Sequence, residues 1–208
     1  MKLDDYVAYR DKLAKCRAEK STEVFFNDSA IHEEFVMKEL LIYARESESG
    51  VNTMYIYCGS MSAFREDVRQ IVERTKREME PAEGSPDRTS WEDFDPYNKM
   101  VKELKRFFEE GGRMNVIVED KDVMAIKNEA IWRDLLDHYY SDTRQLSIKR
   151  LPVKGGVNHF VVCGNAYRSE LSHDDKTALC CFNNPEYANL LYANYSVLNK
   201  IAVPVTMA

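Results

Sequence analysis

Residues 155–189, GGVNHFVVCGNAYRSELSHDDKTALCCFNNPEYAN, decide the fold. They hold three short apolar runs, 158–163, 166–171 and 177–182, separated by Gly164-Asn165 and by Ser172-His173-Asp174-Asp175. Gly-Asn reaches the positive φ angles of a two-residue turn at little steric cost, so the first two runs read as a hairpin with the third strand following. Pro185 carries the φ of a first helical turn, and Asn183 or Asn184 precedes it as a cap. Tyr187, Leu190, Leu191, Tyr195 and Leu198 then form the apolar face of a final helix. His159 opens the first strand and Asn183 follows the third. Polar groups at strand ends are where α/β folds keep their chemistry, so both are expected to face one anion-sized pocket.

Upstream, strands and helices alternate. Residues 53–58 (TMYIYC) form an apolar strand, and Gly59-Ser60-Met61-Ser62 leads into a helix over 63–79. The N–H groups and dipole of that helix start favour an anion, which makes Ser60 and Ser62 ligand-binding candidates as well as caps. A helix over 97–110 ends at Gly111-Gly112, and strand 114–118 (MNVIV), a helix near 129–140 and strand 145–151 follow. Such alternation implies an α/β sandwich with a mixed, mainly parallel sheet and helices on both faces.

Toward the N-terminus, Tyr6, Tyr9, Leu13 and Cys16 stripe a helix over 4–20. Strand 22–26 comes next, and Asn27 or Asp28 caps a second helix that stops near Gly50. Residues 1–50 are thus expected as an N-terminal helical extension packed on a main domain, 51–208. Within it, 81–96 (PAEGSPDRTSWEDFDP) reads as a mobile loop whose second half docks through Trp91 and Phe94.

With 208 residues, 44% of them hydrophobic, the chain has enough material for one full core. It holds no run approaching the roughly 18 apolar residues of a membrane span, and its first twenty residues lack the apolar centre of a signal peptide, so a cytoplasmic protein is expected. The five cysteines sit mostly in apolar runs and read as reduced core thiols. Adjacent Cys180 and Cys181 should point to opposite sheet faces and cannot pair on a metal, so neither a metal nor a cofactor is expected. A net charge of −6 disfavours nucleic acid as a partner, since that affinity draws on dense Lys and Arg.

The order of elements from residue 53 to about 200 resembles one half of the phospholipase D-like superfamily, whose motif is H-x-K-x-x-x-x-D followed by G-S/G-x-N. His159 matches the histidine, Val161 stands in the lysine slot, Ala166 in the aspartate slot, and Asn183 keeps the asparagine of the second element. The segments FNNPEYANLL and FFEEGGRMNVIVE also resemble the family's closing helix and its helix, turn and strand. The resemblance implies a three-layer α/β sandwich, a histidine nucleophile toward phosphorus, and a homodimer that brings two half-sites together.

Without the lysine and the acid, charge developing on phosphate loses donors of which a single one is worth about 2.7 to 4 kcal/mol. Arg168, expected across the hairpin from His159, is the candidate replacement, with a surface pair to Glu170 or Asp174 as its alternative. His32, His138 and His173 are expected to be exposed or capping. Tyrosines concentrated in both terminal helices suggest that those helices meet each other or a second subunit. The expected function is a non-catalytic or weakly catalytic binding module for a phosphate-bearing ligand or a protein partner. The alternatives are an active phosphodiesterase or nuclease working through His159 as a dimer, and an interaction protein of a bacterial or phage conflict system.

Overall fold

The computed structural model describes residues 2–26, 30–47, 52–59, 66–119, 130–135, 138–139, 145–172 and 176–205. Among them the chain forms α1 (Leu3–Glu19), β1 (Thr22–Phe26), α2 (Ala30–Glu46), β2 (Thr53–Cys58), α3 (Glu66–Glu78), α4 (Arg88–Glu92), α5 (Pro96–Glu109) and β3 (Arg113–Val118). Then come α6 (Ala130–Leu135), β4 (Leu146–Arg150), β5 (Phe160–Cys163), β6 (Ala166–Ser172), β7 (Thr177–Cys181), α7 (Pro185–Ile201) and β8 (Val203–Pro204). The candidate caps Asn27 and Asp28, the helix stop at Gly50, His173, and the ligand candidates Ser60 and Ser62 lie outside the described residues.

All the described strands join one sheet in the order β1-β7-β6-β5-β2-β3-β4-β8. The α/β class and the mixed sheet are as expected, but the balance of pairings is not. Only β2–β3 and β3–β4 run parallel, and the other five pairings are antiparallel. Helical crossovers force parallel neighbours only between β2 and β4, whereas β5, β6 and β7 are consecutive antiparallel neighbours and form a meander.

Alternation along the strands divides the core into two layers. Met54 and Ile56, Met114, Val116 and Val118, Leu146 and Ile148, Val161 and Cys163 face the layer built by α1, α2, α3 and α5. Tyr57, Ile117, Phe160, Val162 and Tyr167 face α7 through Ala188, Leu191, Tyr195 and Leu198. Full burial of each such leucine is worth about 1.5 to 3 kcal/mol, so this stripe holds α7 in place. Asn184 caps α7, its side chain accepting the Tyr187 N–H at 3.0 Å, with Pro185 in the first turn. Cys180 and Cys181 lie in opposite layers, and all five cysteines are free thiols.

The sheet separates the terminal helices that the tyrosines suggested would meet: Tyr6 and Tyr9 belong to one layer, Tyr187, Tyr192 and Tyr195 to the other. His32 is buried rather than exposed, stacked on Tyr9 at 4.2 Å between centroids. Two ion-pair sets tie α2 to its neighbours. Arg17 of α1 reaches Glu39 at 2.7 Å and Glu46 at 2.6 Å, and Arg45 reaches Glu103 of α5 and, at 2.8 Å, Glu110 at its C-cap. Within 81–96, α4 presents Trp91, whose Nε1–H donates to the Lys76 carbonyl at 2.7 Å under the Arg88 guanidinium. Phe94 is buried, its ring 5.5 Å from that of Tyr6.

Candidate functional site

Strands β2 and β3 end side by side, with Cys58 paired to Val118, and β5 begins at the same edge through Tyr57 and Phe160. Just before β5 stands His159, where the parallel strands present their C-terminal ends. Its imidazole packs edge-on to the Tyr57 ring at 5.3 Å and lies over Gly59, where an added Cβ would sit 2.9 Å from the ring Cε1. Gly59 therefore serves by lacking a side chain.

Both imidazole nitrogens face carboxylates. Nδ1 is 3.2 Å from Glu170 Oε2, and Nε2 is 3.5 Å from Glu119 Oε2. The two acids lie at opposite edges of the ring, so they do not converge with it on a single ion. The hairpin supplies Glu170, with Cys163 opposite Ala166 and Val161 opposite Arg168, and its N–H donates to the His159 carbonyl at 2.9 Å. Its own carbonyl accepts from Asn158 Nδ2 at 2.9 Å. Glu119 follows β3 and is fixed from the α7 side of the sheet: its Oε1 accepts the Tyr57 hydroxyl and, at 2.8 Å, the Gly155 N–H.

The electrostatics follow from these contacts. Burial would raise the Glu119 carboxyl, but the Tyr57 hydroxyl, the Gly155 N–H and His159 outweigh it and hold the group below the usual carboxylate range. Burial, with the hydrogen bond and charge of Glu119 behind it, pushes the Tyr57 hydroxyl well above the usual phenol range. With an effective dielectric near 20, each carboxylate about 6 Å from a bound phosphate charge repels it by about 3 kcal/mol. The two carboxylates at His159 thus disfavour an anion beside its ring.

The other candidates lie elsewhere. Arg168 pairs in register with Val161 and with Cys180, and shares the face of Ala166; Glu170, two residues along, is the side chain that reaches His159. Asn183 follows β7 and is exposed at the opposite end of the sheet. Two antiparallel strands return the chain to the end it left, and a third carries it away again, so a residue after β7 cannot meet one before β5. Basic side chains do occur near Glu119: Arg150 and Lys154 line an adjoining cavity of about 280 Å³ with Leu151, Pro152 and Val153. Glu119 and Glu170 are the site residues that sequence reasoning missed. Glu170 was readable, since a Gly164-Asn165 turn sets it opposite His159; Glu119 had no local signal.

No protein-family model matches this chain, and no curated protein matches it. Among solved structures it is similar to TrmBL2, an archaeal chromatin protein described as showing a novel mode of DNA binding, with a TM-score of 0.55 and 9% identity over 98% of this chain. The match spans 64% of that protein's length, and at this identity the likeness is one of fold. It is also similar to Nuc of Salmonella typhimurium, a phospholipase D family member, with a TM-score of 0.47 and 8% identity over 89% of this chain and 97% of that one. NucT from Helicobacter pylori gives a TM-score of 0.46 and 9% identity over 89% of this chain and 99% of that one.

Proposed function

We propose that the chain is a non-catalytic binding module on a phospholipase D-like frame, and that it recognises a protein rather than a phosphate-bearing ligand. The observation that carries this reading is the enclosure of His159 by Glu119 and Glu170. A nucleophilic imidazole needs one nitrogen directed at phosphorus, with cations around the phosphate; here each nitrogen has a carboxylate instead. A protein partner, either a second copy or another chain, fits the apolar side chains along the outer side of α7. Leu190, Val197 and Ile201 are 52%, 62% and 49% exposed and fall on one helical stripe. The net charge of −6 weighs against the DNA binding described for the chromatin protein of similar fold, and five free thiols fit a reducing, cytoplasmic setting.

The test is hydrolysis of bis(p-nitrophenyl) phosphate and of single-stranded and duplex DNA by wild type and His159→Ala. We expect no difference between the two proteins, and an assembly in sedimentation velocity, with itself or an added partner, that Val197→Asp weakens. Turnover that His159→Ala abolishes while circular dichroism is unchanged overturns the reading.

A second reading, an active phosphodiesterase, is favoured by the basic side chains beside Glu119 and by Glu170 at Nδ1, where a carboxylate orients a reactive imidazole. It requires Lys154→Ala and Arg150→Ala to lower the same His159-dependent turnover.

A further inference from the structure

On the α7 side of the sheet, where β2 begins, the strand and α7 enclose a cleft of about 560 Å³. It lies at the other end of β2 from His159 and owes nothing to that residue. Its volume is within the range of about 300 to 1,000 Å³ of small-molecule pockets. Among the described residues it is lined by Asn52, Thr53, Tyr55, Tyr192, Tyr195, Ser196 and Asn199.

Three observations define the occupant. None of these residues is charged, in a chain where 31% of residues are, so a phosphate, carboxylate or amine would meet no counter-charge from the lining itself. The cation nearest in register, Arg113 opposite Thr53, is exposed and is not part of the lining. Every one carries a hydroxyl or an amide, groups that together offer both donors and acceptors. Of these side chains, only the Tyr192 hydroxyl makes a hydrogen bond among the described residues, donating to the Gly164 carbonyl at 3.1 Å; the other six make none there. The cleft therefore offers a dense, neutral and uncommitted hydrogen-bonding surface.

The third observation is the arrangement of the rings. Tyr55 stands edge-on to Tyr192 at 5.4 Å and 86°, and to Tyr195 at 4.9 Å and 67°. The ring planes of Tyr55 and its two neighbours meet at steep angles, so neither pair clamps a flat base from both sides, and a base would have one ring face to stack on. A pyranose needs only one ring face for its C–H groups, and its hydroxyls donate and accept as the lining groups do. We propose that this cleft binds a neutral saccharide.

The test is isothermal titration of the full chain, in the millimolar range, with maltotriose, cellotriose and N,N′,N″-triacetylchitotriose, and with uridine as a comparator. At least one trisaccharide should bind, about tenfold more weakly to Asn199→Ala, which removes one hydrogen-bonding side chain. Ser196→Trp, at an exposed position, should abolish binding by filling the cleft while leaving the thermal melt unchanged. His159→Ala should bind as wild type does, so this result stands whether or not His159 is catalytic. Absence of binding by all three trisaccharides, binding undiminished in Ser196→Trp, or uptake of uridine in their place overturns the assignment.

Discussion

Glu34 is fully buried in α2, and among the described residues neither carboxyl oxygen has a hydrogen-bond partner. Burial, with a smaller contribution from the charge of Glu33, pushes its pKa from 4.5 up to about 9. The group is therefore neutral in the folded protein at neutral pH and ionised in the unfolded chain. Because the folded pKa is the higher one, the folded state holds the extra proton, and stability is complete below pH 4.5 and falls as pH rises toward 9. At 1.36 kcal/mol per unit, the loss is about 3 kcal/mol by pH 7 and about 6 kcal/mol by pH 9.

Glu34→Met conserves much of the volume and has nothing to titrate. It also removes an unsatisfied buried polar group, worth about 1 to 3 kcal/mol at any pH. Urea unfolding of both proteins at each unit from pH 5 to pH 9, followed by circular dichroism, should show the variant more stable throughout. Its advantage should widen by about 1.4 kcal/mol per pH unit. A stability difference that stays flat with pH, or a variant less stable than wild type at pH 8, would refute the reasoning, because either requires a Glu34 that is solvated or paired.

Glu119 should behave in the opposite sense. Its folded pKa lies below the unfolded one, so its contribution is present at neutral pH and is lost as pH falls through the carboxylate range. Glu119→Gln should cost about 1.5 to 3 kcal/mol at pH 7, and denaturant melts should show the difference shrinking on acidification. Arg45 and Glu103 are 12% and 13% exposed, and a double-mutant cycle with Arg45→Met and Glu103→Gln should give a coupling of about 1 to 3 kcal/mol by urea unfolding. Glu110→Gln, at the exposed end of the same arginine, should leave the melt nearly unchanged.

Much of the architecture was legible because its signals are local. TMYIYC, the Gly-Asn hairpin, and the Asn-Pro start of α7 each specify a backbone through their own residues, and each lies where it was read. Within 81–96 the signal misled. Proline, glycine and acids outweigh the short helical stretch RTSWE, which forms because Trp91 and Arg88 dock against the end of α3. The site was half readable. Counting back from the hairpin turn pairs His159 with Glu170, whereas the pairing of His159 with Asn183 ignored the direction of a third antiparallel strand. Glu119 could not have been found this way: it reaches His159 only because β2 and β3 lie in register and Tyr57 and Gly155 hold its other oxygen.

The pairing of β1 with β7 has a consequence for how the chain folds. Thr22 lies opposite Cys181, 159 residues later, and closing a loop of that length costs about 4 to 5 kcal/mol in chain entropy beyond a constant. During synthesis Thr22 of β1 emerges 159 residues before Cys181 of β7, the strand it pairs with. Over that interval the apolar Val24 and Phe25 and the strand's backbone groups have no native partner in the sheet. Pairing of β1 with the sheet is thus expected to be a slow step, because the strand waits for β7 before it is sealed.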